Sequence, residues 1–197
     1  MTESSCTTCL FPTKIYQAEV DNYDAIQLEI SNIWDKLQFN YNDDWGKTHK
    51  LSNIKLDSDV IIDMQLNTLG KEIMRHLIKY SAELSFDVNS YGFAVTSWFT
   101  SFGEGDYAHI HNHGHAHISG CYYYNTSGED GDIFFETPNQ LAATSLVYKN
   151  TTERYFVKPK NGTLLLFPGW LNHGVKTNTT KTERNSLAFN IFFIKQF

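Results

Sequence analysis

Five of the chain's eight histidines fall within residues 105–124, GDYAHIHNHGHAHISGCYYY, at His109, His111, His113, His115 and His117. Side chains alternate faces along a strand, so each neighbouring H-x-H pair turns both rings to one side, where two imidazoles can grip one metal ion. Each two-residue step covers roughly 6.6 Å, which would place the first and fifth rings roughly 26 Å apart on an extended strand. One ion therefore takes two of the five. A further ligand must come from elsewhere, and His173, in FPGWLNHGVKTN, follows a Pro-Gly turn and opens a strand, where a ring can face a barrel mouth. Eleven residues later come Arg184, Asn185 and Ser186. Alternation puts Arg184 and Ser186 on one face, inside a barrel if Leu187 and Phe189 face out. An arginine in an apolar interior is costly unless it meets an anion, and a carboxylate-bearing ligand satisfies it with two parallel hydrogen bonds.

These residues need strands to hold them, and the texture of the chain supplies them from Tyr91 onward. Apolar, β-branched or aromatic runs at 92–102, 106–113, 117–125, 131–137, 154–159, 162–169, 171–178 and 184–194 are separated by turn signals at 103–106 and 127–131 and by Gly114. Residues 138–150 read as an irregular or briefly helical excursion. Ahead of them, 10–20 carries an extended run. Asp21 is the expected N-cap of a helix over Tyr23, Ile26, Ile30, Ile33, Trp34 and Leu37, and a second amphipathic helix is expected over about 63–84 with Leu66, Leu69, Ile73, Leu77 and Tyr80 on one stripe. Residues 38–56, rich in Asn, Asp and Lys, read as an exposed loop that could close over a site, with His49 solvated in it. His76 reads as structural. About eight strands behind two helices predict a mainly β fold, a double-stranded β-helix of the jelly-roll or cupin type. A single domain over 1–197 is expected, with a flexible tail at 1–9, packing elements at 10–90 and the jelly-roll core at 91–197.

The order H-x-H, S-G-x-Y-Y, G-D-I-F-F, F-P-x-W-x-x-H and R-x-S-x-x-F-N resembles the 2-oxoglutarate/Fe(II)-dependent oxygenase superfamily, and within it an uncharacterised branch similar to prolyl hydroxylases. The resemblance runs from about residue 10 to 197, with most of its weight between Trp98 and Asn190. It implies a non-haem Fe(II) enzyme that uses 2-oxoglutarate as co-substrate and hydroxylates a C–H bond with release of succinate and CO2. The family spacing to the Ser119-Gly120 pair selects His111 and His113 as metal ligands, with His173 as the distal one. By the same resemblance Arg184 and Ser186 bind the far carboxylate of 2-oxoglutarate, and Tyr123 hydrogen-bonds it. One departure stands out: the superfamily carries H-x-D or H-x-E, whereas His113 occupies the second position here. Three neutral imidazoles leave the metal one more unit of positive charge than two histidines and a carboxylate would, and imidazole suits Fe, Zn, Cu and Ni alike.

The same residues admit other functions. One is a three-histidine cupin-type dioxygenase that ignores 2-oxoglutarate, another a metal-binding protein without turnover, and a third a zinc hydrolase or isomerase working through bound water. His109, His115 and His117 read as structural or as lining the mouth, and Trp98, Tyr107 and Trp170 are candidates for the pocket wall. Cys121 reads as a buried strand residue, and Cys6 and Cys9 as a C-x-x-C in the tail without a redox context. A formal net charge of −6 with no basic run argues against nucleic acid. No apolar run spans a bilayer and the N-terminus lacks a secretion signal, which predicts a soluble cytoplasmic protein with no membrane partner. The expected substrate is a small molecule or a peptide or protein side chain, with proline raised by the kinship.

Overall fold

A computed structural model of the chain describes residues 6–43, 46–52, 58–139, 141, 144, 146 and 154–195. Two antiparallel sheets carry the fold, and the alternation of the central strands explains how they are used. The larger sheet has the order β1 (Tyr16–Glu19), β9 (Thr163–Pro168), β6 (Ile118–Asn125), β11 (Arg184–Lys195), β4 (Tyr91–Phe102), β3 (Lys50–Ser52) and β2 (Phe39–Tyr41). The smaller has the order β5 (Ala108–His111), β10 (His173–Val175), β7 (Ile133–Glu136) and β8 (Arg154–Val157). This is the double-stranded β-helix that the strand pattern predicts. All eight strands expected after residue 90 are present, each somewhat shorter than or close to its predicted span.

On β11, Leu187, Phe189 and Ile191 point out of the barrel into a core shared with helices α1 (Tyr23–Trp34) and α3 (Asn67–Glu83). The intervening residues, Arg184, Ser186 and Ala188, line the cavity between the sheets. The same alternation sends Tyr122, Leu164 and Leu166 to the helices, and Cys121, Tyr123, Leu165 and Phe167 to the inter-sheet core with Ile133, Phe135, Val157 and Leu171. Each fully buried Leu, Ile or Phe contributes about 1.5–3 kcal/mol. The helix layer therefore anchors the large sheet, and its inner face is left for chemistry.

The N-terminal half differs from the sequence-based expectations in three places. Asn22, not Asp21, caps α1, and its side chain makes no capping hydrogen bond. The second helix starts about four residues later than expected, as α3, because a separate turn of helix, α2 (Val60–Asp63), ends in a bend where Gln65 adopts φ 57°, a left-handed conformation that helical periodicity does not reveal. The stretch expected as an exposed loop at 38–56 contains β2 and β3, and β3 pairs with β4 through Lys50↔Ser101 and Leu51↔Thr100. His49, expected in solvent, is accordingly buried. His76 is structural as expected, taking a 2.8 Å hydrogen bond with the Tyr16 hydroxyl beside Glu72. Cys6 and Cys9 are exposed, Cys121 is buried, and the rest of the tail, residues 1–5, lies outside the described residues. Most of the expected excursion at 138–150 lies outside them as well. Among the described residues no helix is long and apolar enough to cross a membrane.

Candidate metal centre

His111 ends β5 and His173 opens β10, and the two are cross-strand partners in the smaller sheet. His113 follows two residues after β5, where its backbone N–H donates to the Gly169 carbonyl at 2.8 Å. Asn112 also donates to the Asn172 side chain at 2.9 Å, so the two loops that carry the rings are tied together. The ring centroids stand 4.4 Å apart for His111 and His173, 5.0 Å for His113 and His173 and 5.3 Å for His111 and His113. One ring nitrogen from each lies within 4.8 Å of the other two, the only such group of three or more His, Cys, Asp or Glu among the described residues. The structure thus brings together the three histidines singled out from the sequence. Exposed His109, His115 and His117 stay apart from them; His117 instead accepts the Phe193 N–H at 3.1 Å.

Each ring of the trio is oriented through Nδ1. His111 Nδ1–H donates to the His109 carbonyl at 2.7 Å, and His173 Nδ1–H to the Leu171 carbonyl at 2.8 Å. His113 Nδ1 meets the Asn190 Oδ1, which also accepts from the Ser119 hydroxyl at 2.8 Å. With Nδ1 protonated, the lone pair of each ring is on Nε2. Burial holds all three rings neutral: it lowers His111, takes His113 down to about 4 and, with the neighbouring imidazoles, drives His173 well below the usual histidine range. Neutral imidazoles are the form that binds a transition metal, and three ring nitrogens within 4.8 Å of one another are grouped closely enough to hold one ion. The donor set fits a metal.

The same cavity, of about 210 Å³, is also lined by Arg184 and Ser186. Arg184 is 2% exposed, its guanidinium carbon lies 4.9 Å from the Phe102 ring centroid and 5.0 Å from that of Tyr123, and Nε and Nη1 have no hydrogen-bond partner. No carboxylate among the described residues pairs with it. A buried charge left this way costs several kcal/mol. Ser186 lines the wall with Thr100, their hydroxyls 2.8 Å apart. Tyr123 is fully buried, but it stands behind the guanidinium and is not among the cavity-lining residues; its hydroxyl has no hydrogen-bond partner. The loop behind Arg184 is pinned by Asn178, which donates to the Phe102 and Thr182 carbonyls at 3.0 and 2.8 Å.

Trp98 lines the cavity and lies 6.1 Å from the His113 ring, whereas exposed Tyr107 packs on His109 and Trp170 borders a separate groove. Sequence reasoning missed His49. It is 4% exposed, stacks at 4.4 Å and 4° on Phe102, bonds Thr48 through Nδ1 at 3.0 Å and forms part of the cavity wall; burial lowers it to about 4. Its polar neighbours masked it, and only the pairing of β3 with β4 would have given it away. Cys121 also reaches the wall, its thiol pushed up to about 11 by burial, which makes it a poor nucleophile.

A family model described as "Putative 2OG-Fe(II) oxygenase" matches residues 96–190, the stretch that contains all three histidines and Arg184. No curated protein matches the chain by sequence. Among solved structures, a prolyl-4-hydroxylase of Pseudomonas putida is similar with TM-score 0.60 and 15% identity over 94% of both chains. HygX of Streptomyces hygroscopicus, solved with nickel and 2-oxoglutarate bound, gives 0.61 and 13% over 94% of this chain and 86% of that one. The alpha-ketoglutarate-dependent epimerase SnoN of nogalamycin biosynthesis gives 0.60 and 11% over 91% and 78%. At these identities the structural likeness speaks for the fold. The family match over residues 96–190 falls on the strands that carry the three histidines and Arg184, and the fold is similar to that of the 2-oxoglutarate/Fe(II)-dependent oxygenases.

Proposed function

We propose that the chain is an Fe(II)- and 2-oxoglutarate-dependent oxygenase of the hydroxylase type, acting on a small molecule or on a peptide or protein side chain. The observation that carries this reading is one cavity with three convergent neutral imidazoles and a buried arginine lacking an anion. His111, His113 and His173 would hold iron. Arg184 and Ser186 would hold the far carboxylate of the co-substrate, with Tyr123 backing the guanidinium. When bound, iron and 2-oxoglutarate supply oxidative decarboxylation coupled to attack on a C–H bond, with succinate and CO2 as products.

The chain's own part is to orient and to exclude water. Backbone carbonyls and Asn190 keep Nε2 of each ring turned to the centre, Phe102 and His49 wall the anion end with apolar ring faces, and Trp98 covers the side next to His113. In this dry cavity a charge-assisted bond to Arg184 is worth far more than at the surface. The histidine at position 113 motivates a second reading, a three-histidine dioxygenase that needs no 2-oxoglutarate; that reading has no use for Arg184.

Anaerobic titration separates them. A weak visible charge-transfer band that requires both Fe(II) and 2-oxoglutarate, and that vanishes in Arg184→Ala, supports the oxygenase. Succinate release under O2 with candidate substrates, lost in His173→Ala, supports turnover. A band indifferent to 2-oxoglutarate, or an R184A protein with unchanged titration, refutes it.

A further inference from the structure

Two of the three clustered imidazoles are oriented by backbone carbonyls and the third by a side chain. The carbonyls of His109 and Leu171 can only accept, so they force a proton onto Nδ1 of His111 and His173 and leave the lone pair on Nε2. The partner of His113 is a side-chain amide, which can accept through Oδ1 or donate through Nδ2. If the amide turned over, His113 Nδ1 would become the acceptor, its proton would move to Nε2, and the ring could not ligate. The one position that departs from the superfamily pattern is thus the one whose tautomer is set by a changeable residue.

We propose that Asn190 is a positioning residue that fixes His113 as an Nε2 ligand by presenting its carbonyl to Nδ1, with Ser119 stabilising that orientation. Three observations support it. Ser119 donates to the same Oδ1 at 2.8 Å, so a single oxygen serves two donors. Asn190 and Ser119 are cross-strand partners, and Asn190 is paired on its other side with Thr96, so the amide rests on a backbone held by both neighbours. His113 itself is anchored by its N–H to the Gly169 carbonyl, which leaves ring orientation as the freedom for Asn190 to settle. The inference rests on the trio being a metal site. Outer partners of ligating histidines are worth 10–100-fold in metal affinity, which sets the size of the effect.

The test compares wild type with N190D, which can only accept, and N190L, of similar size and unable to do either. Nitrogen-15 NMR of the metal-free proteins reads the His113 tautomer directly, and calorimetry with Co(II) reads affinity. Expected is the Nδ1–H form in wild type and N190D, loss of that form in N190L, and Co(II) binding 10–100-fold weaker in N190L but undiminished in N190D. An N190L protein that keeps the Nδ1–H form and wild-type affinity overturns the proposal. Should N190L fail to fold, N190D decides: weaker Co(II) binding than wild type overturns it. Failure of the underlying site looks different, because Co(II) affinity would then survive in both H111A and H173A while the tautomer comparison still reports on Asn190.

Discussion

Replacing Arg184 by methionine should make the ligand-free protein more stable while abolishing its response to 2-oxoglutarate. The guanidinium is 2% exposed, and two of its nitrogens have no partner. Its desolvation costs several kcal/mol. The rings of Phe102 and Tyr123, 4.9 and 5.0 Å from the guanidinium carbon, return about 1–2 kcal/mol between them. Methionine fills a comparable volume without the charge, so a net gain of about 2 kcal/mol is expected, of the size of the ~1–4 kcal/mol seen when buried ion pairs are replaced by apolar groups. For a chain of this size that raises the melting temperature by about 4–8 °C. In wild type loaded with Mn(II), 2-oxoglutarate at 100 times its dissociation constant adds about 2.7 kcal/mol, so the wild-type melt should rise by about 5–11 °C. Differential scanning fluorimetry with and without 2-oxoglutarate gives both numbers. An R184M protein that melts below wild type without ligand, or that still shifts with 2-oxoglutarate, refutes the argument that this charge waits for an anion.

Gly174→Ala should separate the two strands that carry His111 and His173: a Cβ there would sit 2.6 Å from Phe134 Cζ and 2.9 Å from the Ala108 carbonyl, so overpacking should cost about 1–3 kcal/mol and weaken Co(II) binding, both read by calorimetry. Thr100→Val removes one hydroxyl of the pair with Ser186, worth about 1 kcal/mol, and should weaken 2-oxoglutarate binding about fivefold with the metal titration unchanged. The metal-free protein should lose stability on acidification. His49 and His113 are held down to about 4 against 6.5 in the unfolded chain, so the unfolded state takes up protons first. Stability is therefore fully present above about pH 6.5 and falls progressively toward pH 4. Melting temperatures across that window check the sign, and a flat profile contradicts it.

The parts of the site that repeat every two residues were readable from the sequence, because alternation is a local property: the H-x-H pair and the R-x-S face follow from it, and the turn signals between them marked the existence of the strands after residue 90. His173 was readable for the same reason, as a ring at the head of a strand behind a Pro-Gly turn. His49 was not. Its burial depends on β3 pairing with β4 some 50 residues away and on Phe102 offering a ring to stack on, and its own neighbours are polar. Tyr123 shows the converse: family resemblance named the residue, but only the packing against Arg184 shows it behind the charge instead of along the cavity wall. The break between α2 and α3 escaped because Gln65 in a left-handed conformation leaves no trace in an apolar period.

Arg184, Ser186, Ala188 and Asn190 share one face of β11, so a single ribbon carries the anion grip at one end and the support for His113 at the other. Both flanks of that ribbon are hydrogen-bonded, to β4 and to β6, which makes it an inextensible gauge. A two-headed acid must match the gauge to touch both ends. On the proposed function, diacids one methylene shorter or longer than 2-oxoglutarate would reach one end and miss the other, and the backbone itself would then set the length of the co-substrate.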